Sequence, residues 1–244
     1  MEIYQDSIDH RWTGRYDASI ALVGDITDKK VLDIGCSLGW FEKIIEQGEN
    51  RSLIAIDINW DQIIRASRSV PKACFLQAGL PELPFQKNAF DIVVMWETLE
   101  HLPKNTVIQA LKSIRNVLKR DGHFYLSTPK FDLRSTLTDP AWYFGHRHYT
   151  RKKLEKLLKL SGFSLIRIQS GGKYFEIFNM LLFYPCKWLA NREVPVKSFF
   201  ERKRKEEYEK CRGWSTYFLE ARLKDEKKIE TGRINEQKSI YYRA

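Results

Sequence analysis

Val31-Leu32-Asp33-Ile34-Gly35-Cys36-Ser37-Leu38-Gly39 decides how this chain folds. Val31 to Ile34 is a short, mostly apolar run, long enough for one buried parallel strand. Gly35 and Gly39 bracket a tight turn, and Trp40-Phe41-Glu42-Lys43-Ile44-Ile45 opens a helical pattern. A strand that breaks on glycines and runs into a helix is a place to put a ligand. Glycine lets the backbone approach closely, and the helix N-terminus offers free N–H groups to an anion. A second run, Ser52–Ile56, ends in Asp57, 22 positions after Gly35. In nucleotide-type sites a carboxylate at that place accepts hydrogen bonds from ribose hydroxyls.

Two cofactors fit this layout, a dinucleotide and S-adenosylmethionine. The dinucleotide fingerprint needs glycines at 35, 37 and 40, where this chain has Gly35, Ser37 and Trp40. A tryptophan at the helix start denies the pyrophosphate its close backbone approach. The stretch instead resembles the first motif of class I S-adenosylmethionine-dependent methyltransferases, V-L-D-I-G-C-G-x-G, with Ser37 replacing the middle glycine. Leu83-Pro84-Phe85 followed by Phe90-Asp91-Ile92-Val93-Val94 is similar to the same family. There an Asp before L-P-F accepts from the adenine amine; here Gly79 stands in its place, which leaves that contact to Gln77 or backbone.

The resemblance implies a Rossmann-like α/β fold: a seven-stranded, mostly parallel sheet with an antiparallel last strand and helices on both faces. It implies S-adenosylmethionine as cofactor, held by Asp33, Gly35, Cys36, Ser37, Gly39, Asp57, Ile58, Gly79, Leu80 and Trp96. Asp33 is expected to orient the turn or reach the amino-acid end of the cofactor. Trp12, Arg15 and Tyr16 are candidates for closing the site.

The strand pattern continues with Ala73–Ala78, Ile92–Met95, His123–Thr128 after an Asp121-Gly122 turn, Phe163–Gln169 and Trp214–Leu223. Helical spacing marks Ile20–Ile26, Trp60–Ser69, Asn105–Leu118 and Thr150–Ser161, the last with Thr150 as cap. Residues 1–28 read as a helical cap, 29–223 as the main domain with an inserted segment at 171–213, and 224–244 as a polar tail.

The fourth strand runs into Trp96-Glu97-Thr98-Leu99-Glu100-His101. Ligands bind beyond the carboxyl ends of such strands. Two carboxylates and a histidine at i, i+3 and i+4 share one face if the segment is helical. A hydroxyl acceptor must lose its proton, and histidine takes it as a base or a divalent metal lowers its pKa. The string E-x-x-E-H resembles one in ubiquinone-biosynthesis O-methyltransferases and in small-RNA 2′-O-methyltransferases. There the positions matching Glu97, Glu100 and His101 are implicated in holding a Mg²⁺-like ion. Gly145-His146-Arg147-His148-Tyr149-Thr150 offers a further ligand, His148 or His146. Glu97, Glu100, His101 and His148 are therefore the expected catalytic or metal-holding set, and a metal-free His101 base is the alternative.

The implied activity is O-methylation of a small-molecule, quinone-like or lipid-linked glycan hydroxyl. N- or C-methylation, RNA 2′-O-methylation and a non-catalytic cofactor-binding subunit are the alternatives.

Net charge is +10, unevenly placed. Residues 1–150 hold 18 Lys and Arg against 19 Asp and Glu; residues 151–244 hold 23 against 12. The basic part points to an anionic surface or partner, although no recognisable RNA-binding module is present. Tyr174–Ala190 is apolar, interrupted by Pro185, and followed by Arg202-Lys203-Arg204-Lys205. Residues 174–205 are expected to form a lid, an oligomer contact or a peripheral membrane contact. Four scattered cysteines without a C-x-x-C pair, no leader pattern and no spanning apolar run fit a cytoplasmic protein, membrane-associated if that contact forms.

Overall fold

The computed structural model describes residues 13–45, 52–178, 181 and 197–224. Seven strands are present: β1 Val31–Ile34, β2 Leu53–Asp57, β3 Cys74–Gln77, β4 Phe90–Trp96, β5 Leu118–Pro129, β6 Phe163–Gly171 and β7 Thr216–Leu223. The helices are α1 Thr13–Val23, α2 Trp40–Ile45, α3 Trp60–Ser69, α4 Val107–Val117, α5 Leu133–Thr138, α6 Pro140–Tyr143, α7 Arg151–Leu160 and α8 Lys197–Glu209. Leu99–His101 forms a 3₁₀ turn, and residues 174–178 are helical.

The strands make one sheet in the order β3-β2-β1-β4-β5-β7-β6. β1 through β5 pair in parallel. β7 lies antiparallel between β5 and β6. The strand order reverses at β1, so a crevice opens beyond the carboxyl ends of β1, β2 and β4.

Period-two alternation sends side chains to two helical layers. Leu32, Ile34, Val93, Met95, Phe124 and Leu126 face Leu111 and Ile114 of α4 and Leu154 and Leu158 of α7. Val31, Val94, Trp96, Tyr125 and Phe218 face Leu22 and Val23 of α1, Phe41 of α2 and Tyr208 of α8. α3 packs Ile63 over Cys36 and Ala55. These buried apolar positions fix the register, because a one-residue slip would turn each core face to solvent. Truncating one of them, such as Leu111 to alanine, costs about 2–5 kcal/mol.

Three expectations need correction. The first helix begins at Thr13 and stops at Val23, not over Ile20–Ile26. Its early turns pack against α8, where a Cβ on Gly14 would meet the Tyr208 ring at 2.5 Å. Gly24, at φ +72°, ends it. Asp121-Gly122 does not separate α4 from the next strand: β5 starts at Leu118, and residues 119–122 bulge opposite Asp91. Trp214 and Ser215 precede β7 rather than belong to it. Thr150 caps α7 as expected, accepting from Lys153 N at 3.3 Å.

Most of the apolar stretch Tyr174–Ala190 (residues 179, 180 and 182–190), residues 191–196, Trp12 and the tail 225–244 lie outside the described residues. Among the described residues no helix is long and apolar enough to cross a membrane.

Candidate active site

The turn after β1 is built on Gly35 at φ +81° and Ser37 at φ +51°. Gly35 is obligatory twice over, since a Cβ there would also sit 2.3 Å from Thr98 Oγ1. Gly35 N and Cys36 N both donate to Ile56 O, at 2.8 and 3.1 Å, which binds the turn to β2. Ser37 N donates to Asp57 Oδ2 at 3.0 Å, and Asn59 N donates to Asp57 Oδ1 at 2.9 Å. Two backbone donors thus lock the Asp57 carboxylate and leave each oxygen a further lone pair.

A cleft of about 650 Å³ opens over this turn. Its volume is in the range of small-molecule sites. On the β2–β3 side it is lined by Asp57, Ile58, Asn59, Gln62, Gly79 and Leu80; on the β4–β5 side by Trp96, Glu97, Thr98 and Ser127. Arg15, Tyr16 and Trp40 close one wall, and His101, Leu102 and Pro103 lie on another. Tyr16 stacks on Trp40, with ring centroids 3.8 Å apart and planes within 6°.

Of the expected cofactor residues, Gly35, Ser37, Asp57, Ile58, Gly79, Leu80 and Trp96 line the cleft, whereas Asp33, Cys36 and Gly39 do not. Asp33 and Glu42 are buried together, 1% and 0% exposed. Burial and their mutual repulsion raise the Asp33 pKa, and burial raises that of Glu42, so the pair keeps a proton into the neutral range. Asp33 is therefore buried against Glu42 and does not line the cleft. Burial likewise pushes the Cys36 thiol up.

Beyond β4, Glu97 adopts φ +46°. Its N–H is held by Ser127 O and Ser127 Oγ, both at 3.1 Å. Its carboxylate Oε2 accepts from Arg15 Nη1 at 2.8 Å. Arg15 Nη2 reaches Glu176 Oε1 at 2.8 Å, and Arg204 Nε reaches Glu176 Oε2 at 2.6 Å. Burial works against the charge on Arg15, but Glu97, Tyr208 and Glu176 hold its pKa above the ordinary value. Burial also opposes the charge on Glu176, and Arg204 and Arg15 overcome it, lowering that pKa.

The expected metal set does not assemble. Glu97 is committed to Arg15. Glu100 is 3% exposed and accepts from Thr128 Oγ1 at 3.0 Å. Burial first and Glu97 second raise its pKa, which favours the neutral acid. His148 is held by Thr136 Oγ1 at 2.8 Å and by Asp139 Oδ2 at 3.0 Å, away from the cleft lining. Among the described residues no three His, Cys, Asp or Glu side chains converge as metal ligands. The set does not fit a Mg²⁺ ion.

His101 alone of the four histidine and carboxylate candidates keeps its polar atoms open beside the cleft. It makes no hydrogen bond from its ring among the described residues, and packs edge-to-face on His146 at 4.2 Å. Partial desolvation, then His146 and Arg147, lower its pKa from 6.5, with Asp57 opposing. The lowered pKa favours the neutral ring. Arg147 fixes the 3₁₀ turn that carries it, donating to Leu99 O at 2.9 Å, to Glu100 O at 3.3 Å and also to Leu102 O. Tyr149 Oη adds a bond to Leu99 O at 3.3 Å. The H-R-H-Y-T string thus serves the site through Arg147 and Tyr149, not through a metal-binding histidine. Arg147 and Glu176 were not legible as site residues; the one available signal was a cation next to the expected ligand.

Three groups of the cleft would hold an adenosyl amino acid. Asp57 is an oriented acceptor for a diol. Trp96 Nε1 and Glu97 Oε1 are buried without hydrogen-bond partners, a donor and an acceptor beside the guanidinium of Arg15. These suit the carboxylate and ammonium of the amino-acid end.

Residues 8–168 match a protein-family model described as a methyltransferase domain. A tRNA U34 carboxymethyltransferase of Pseudomonas aeruginosa is 30% identical over 109 residues, covering 43% of this chain and 33% of that protein. A "probable S-adenosylmethionine-dependent methyltransferase" of Mycobacterium tuberculosis is 28% identical over 158 residues, covering 64% and 57%. The chain therefore spans a third to somewhat over half the length of these relatives. The solved S-adenosylmethionine-dependent methyltransferase of Mesorhizobium loti superposes with a TM-score of 0.61 at 16% identity, covering 86% of this chain and 97% of that one. The strand order, the turn that presents Asp57 and the match over residues 8–168 lead to one conclusion: the chain belongs to the class I S-adenosylmethionine-dependent methyltransferases.

Proposed function

We propose that the chain methylates a hydroxyl group, with S-adenosylmethionine as donor and His101 as general base. The observation that carries this reading is His101 itself, an imidazole in the lining of the cleft whose ring makes no hydrogen bond among the described residues. When bound, S-adenosylmethionine supplies a methyl group on a positively charged sulfur. Asp57 would hold the ribose and Ile58, exposed over three-quarters of its surface, would lie against the adenine. Trp96, Glu97 and Arg15 would hold the amino-acid end. His101 would take the proton from the acceptor oxygen as that oxygen becomes nucleophilic, a contribution of about 10²–10⁴ in rate. Quinone-like and RNA hydroxyls are the acceptors that the E-x-x-E-H resemblance suggests, a lipid-linked hydroxyl is the one that the apolar and basic sequence of 174–205 suggests, and the tRNA-modifying relative adds to the RNA reading.

Incubation with methyl-labelled S-adenosylmethionine and cell extract tests the reading. Label should enter a lipid, small-molecule or RNA fraction as an alkali-stable ether. His101→Ala should lower the rate while S-adenosylhomocysteine still binds. Label recovered as an N- or C-methyl product, or full activity in His101→Ala, would overturn the hydroxyl assignment.

A further inference from the structure

A second concavity, of about 410 Å³, lies on the same edge of the sheet, beyond the ends of β5 and β6 and the start of β7. Four cations line it: Lys130, Arg151, Lys173 and Arg212. No Asp or Glu does. Two neighbouring carboxylates act on lining cations themselves, Glu155 on Arg151 and Asp132 on Lys130. Glu155 pairs with Arg151 Nε at 2.7 Å. Asp132 caps α5, accepting from Arg134 N at 3.1 Å. Glu207 accepts from the backbone of residues 173, 175 and 176 at 2.7–3.3 Å. Lys173 and Arg212 form no ion pair among the described residues.

Lys173 and Arg212 thus bring uncompensated positive charge to a concave surface, and an anion relieves the repulsion between such charges. The lining also carries two rings, Tyr217 and Trp214. Lys130 Nζ lies 5.3 Å from the centroid of the Tyr217 ring, and Arg134 lies 4.4 Å from that of Trp214. Lys130 is itself fixed, its Nζ donating to Gly213 O at 2.8 Å. Partial burial lowers the Lys130 pKa, the mark of an ammonium held off bulk water. Lys130 is three residues beyond Ser127, which lines the donor cleft; that is roughly 10 Å of extended chain.

We propose that this concavity binds a phosphate group of the methyl acceptor and so anchors the acceptor with its hydroxyl toward His101. The proposal rests on the methyltransferase reading above. A phosphate has the charge and the several acceptor oxygens that Lys and Arg side chains converging on one cavity recognise. Two carriers share that chemistry, a small phosphorylated acceptor and a polynucleotide backbone.

Calorimetry on the full chain separates them, with inorganic pyrophosphate as one probe and a 12-nucleotide single-stranded RNA as the other. The test variant is Lys173→Ala with Arg212→Ala. The control is Lys156→Ala with Arg151 left intact and Lys159→Ala, which removes equal charge from exposed positions of α7 outside the lining. S-adenosylhomocysteine titration of each protein shows whether the donor cleft is unaltered. The expected result is at least a tenfold loss of probe affinity in the test variant, less than threefold in the control, and unchanged S-adenosylhomocysteine affinity. Pyrophosphate binding with that pattern assigns a small phosphorylated acceptor. The pattern with RNA alone, its salt slope reduced by about 1.4 in the test variant, assigns a polynucleotide. Equal losses in test and control, or neither probe binding below 1 mM while S-adenosylhomocysteine binds, would overturn the proposal and leave the methyltransferase reading standing. Loss of S-adenosylhomocysteine binding by the unmodified protein would instead remove that reading.

Discussion

Arg15 Nη1 donates to Glu97 Oε2 at 2.8 Å, joining α1 to the end of β4 across 82 positions of sequence. The other arm of the same guanidinium holds Glu176 at 2.8 Å, and Glu176 is 1% exposed. One planar fork therefore sets a residue of the donor cleft and a residue of the 171–213 segment at once, through two separate nitrogens.

Arg15→Ala is expected to destabilise the protein by about 3 kcal/mol, the low end for a broken buried pair because Arg204 still holds Glu176. Arg15→Lys should recover less than half of that loss. Urea unfolding measures both, and a Lys variant as stable as wild type would show that the double contact contributes nothing.

Ser37 holds φ +51°, a conformation that costs a non-glycine residue about 1–2 kcal/mol. Glycine relieves that strain but loses about 0.5–1 kcal/mol to chain entropy. Ser37→Gly should therefore leave stability unchanged or raise it by up to about 1.5 kcal/mol, and leave S-adenosylhomocysteine affinity intact. Thermal unfolding and titration check the two halves; a large loss in either would mean that the hydroxyl has a role of its own.

Glu100 provides a pH test. Its folded pKa is raised by burial and then by Glu97. Above the unfolded pKa of about 4.5 the unfolded chain releases this proton while the folded chain keeps it, so stability falls as pH rises until the folded pKa is passed. Glu100→Gln removes that fall and can still meet Thr128. The variant should gain on wild type progressively above pH 4.5 in melting temperature. Parallel curves from pH 5 to 8 would contradict a neutral Glu100.

His101 titrates in the opposite sense for activity. Its folded pKa is lowered from 6.5, first by partial desolvation. The acidic limb of kcat against pH should then lie below pH 6.5, and His101→Ala should lose the limb together with the rate. A limb above pH 6.5 would assign the base to another group.

Much of this was legible in the residues. V-L-D-I-G-C-S-L-G placed β1, its turn and the start of α2, because a buried strand closing on glycines admits few other readings. Asp57 was legible from its distance to Gly35, and Ser37 from the glycine it replaces. The metal set failed because a carboxylate's partner is decided in space. Nothing near Glu97 in sequence announces Arg15, nor does anything near His148 announce that Asp139 will take its ring. The Asp121-Gly122 turn failed because β5 absorbs those residues as a bulge against Asp91. The residues left Asp33 either to orient the turn or to reach the amino-acid end of the cofactor. Strand alternation turns it inward, onto Glu42.

The central claim is that the cleft over the β1 turn is an S-adenosylmethionine site oriented by Asp57. Calorimetry with S-adenosylhomocysteine on wild type and Asp57→Ala tests it most directly. Wild type should give a one-site isotherm in the micromolar range, about 8 kcal/mol. Asp57→Ala should weaken it by about 1–3 kcal/mol, the loss expected for hydrogen bonds to a charged group. Wild type that binds NAD but not S-adenosylhomocysteine, or an Asp57→Ala variant that binds as tightly as wild type, would contradict the account.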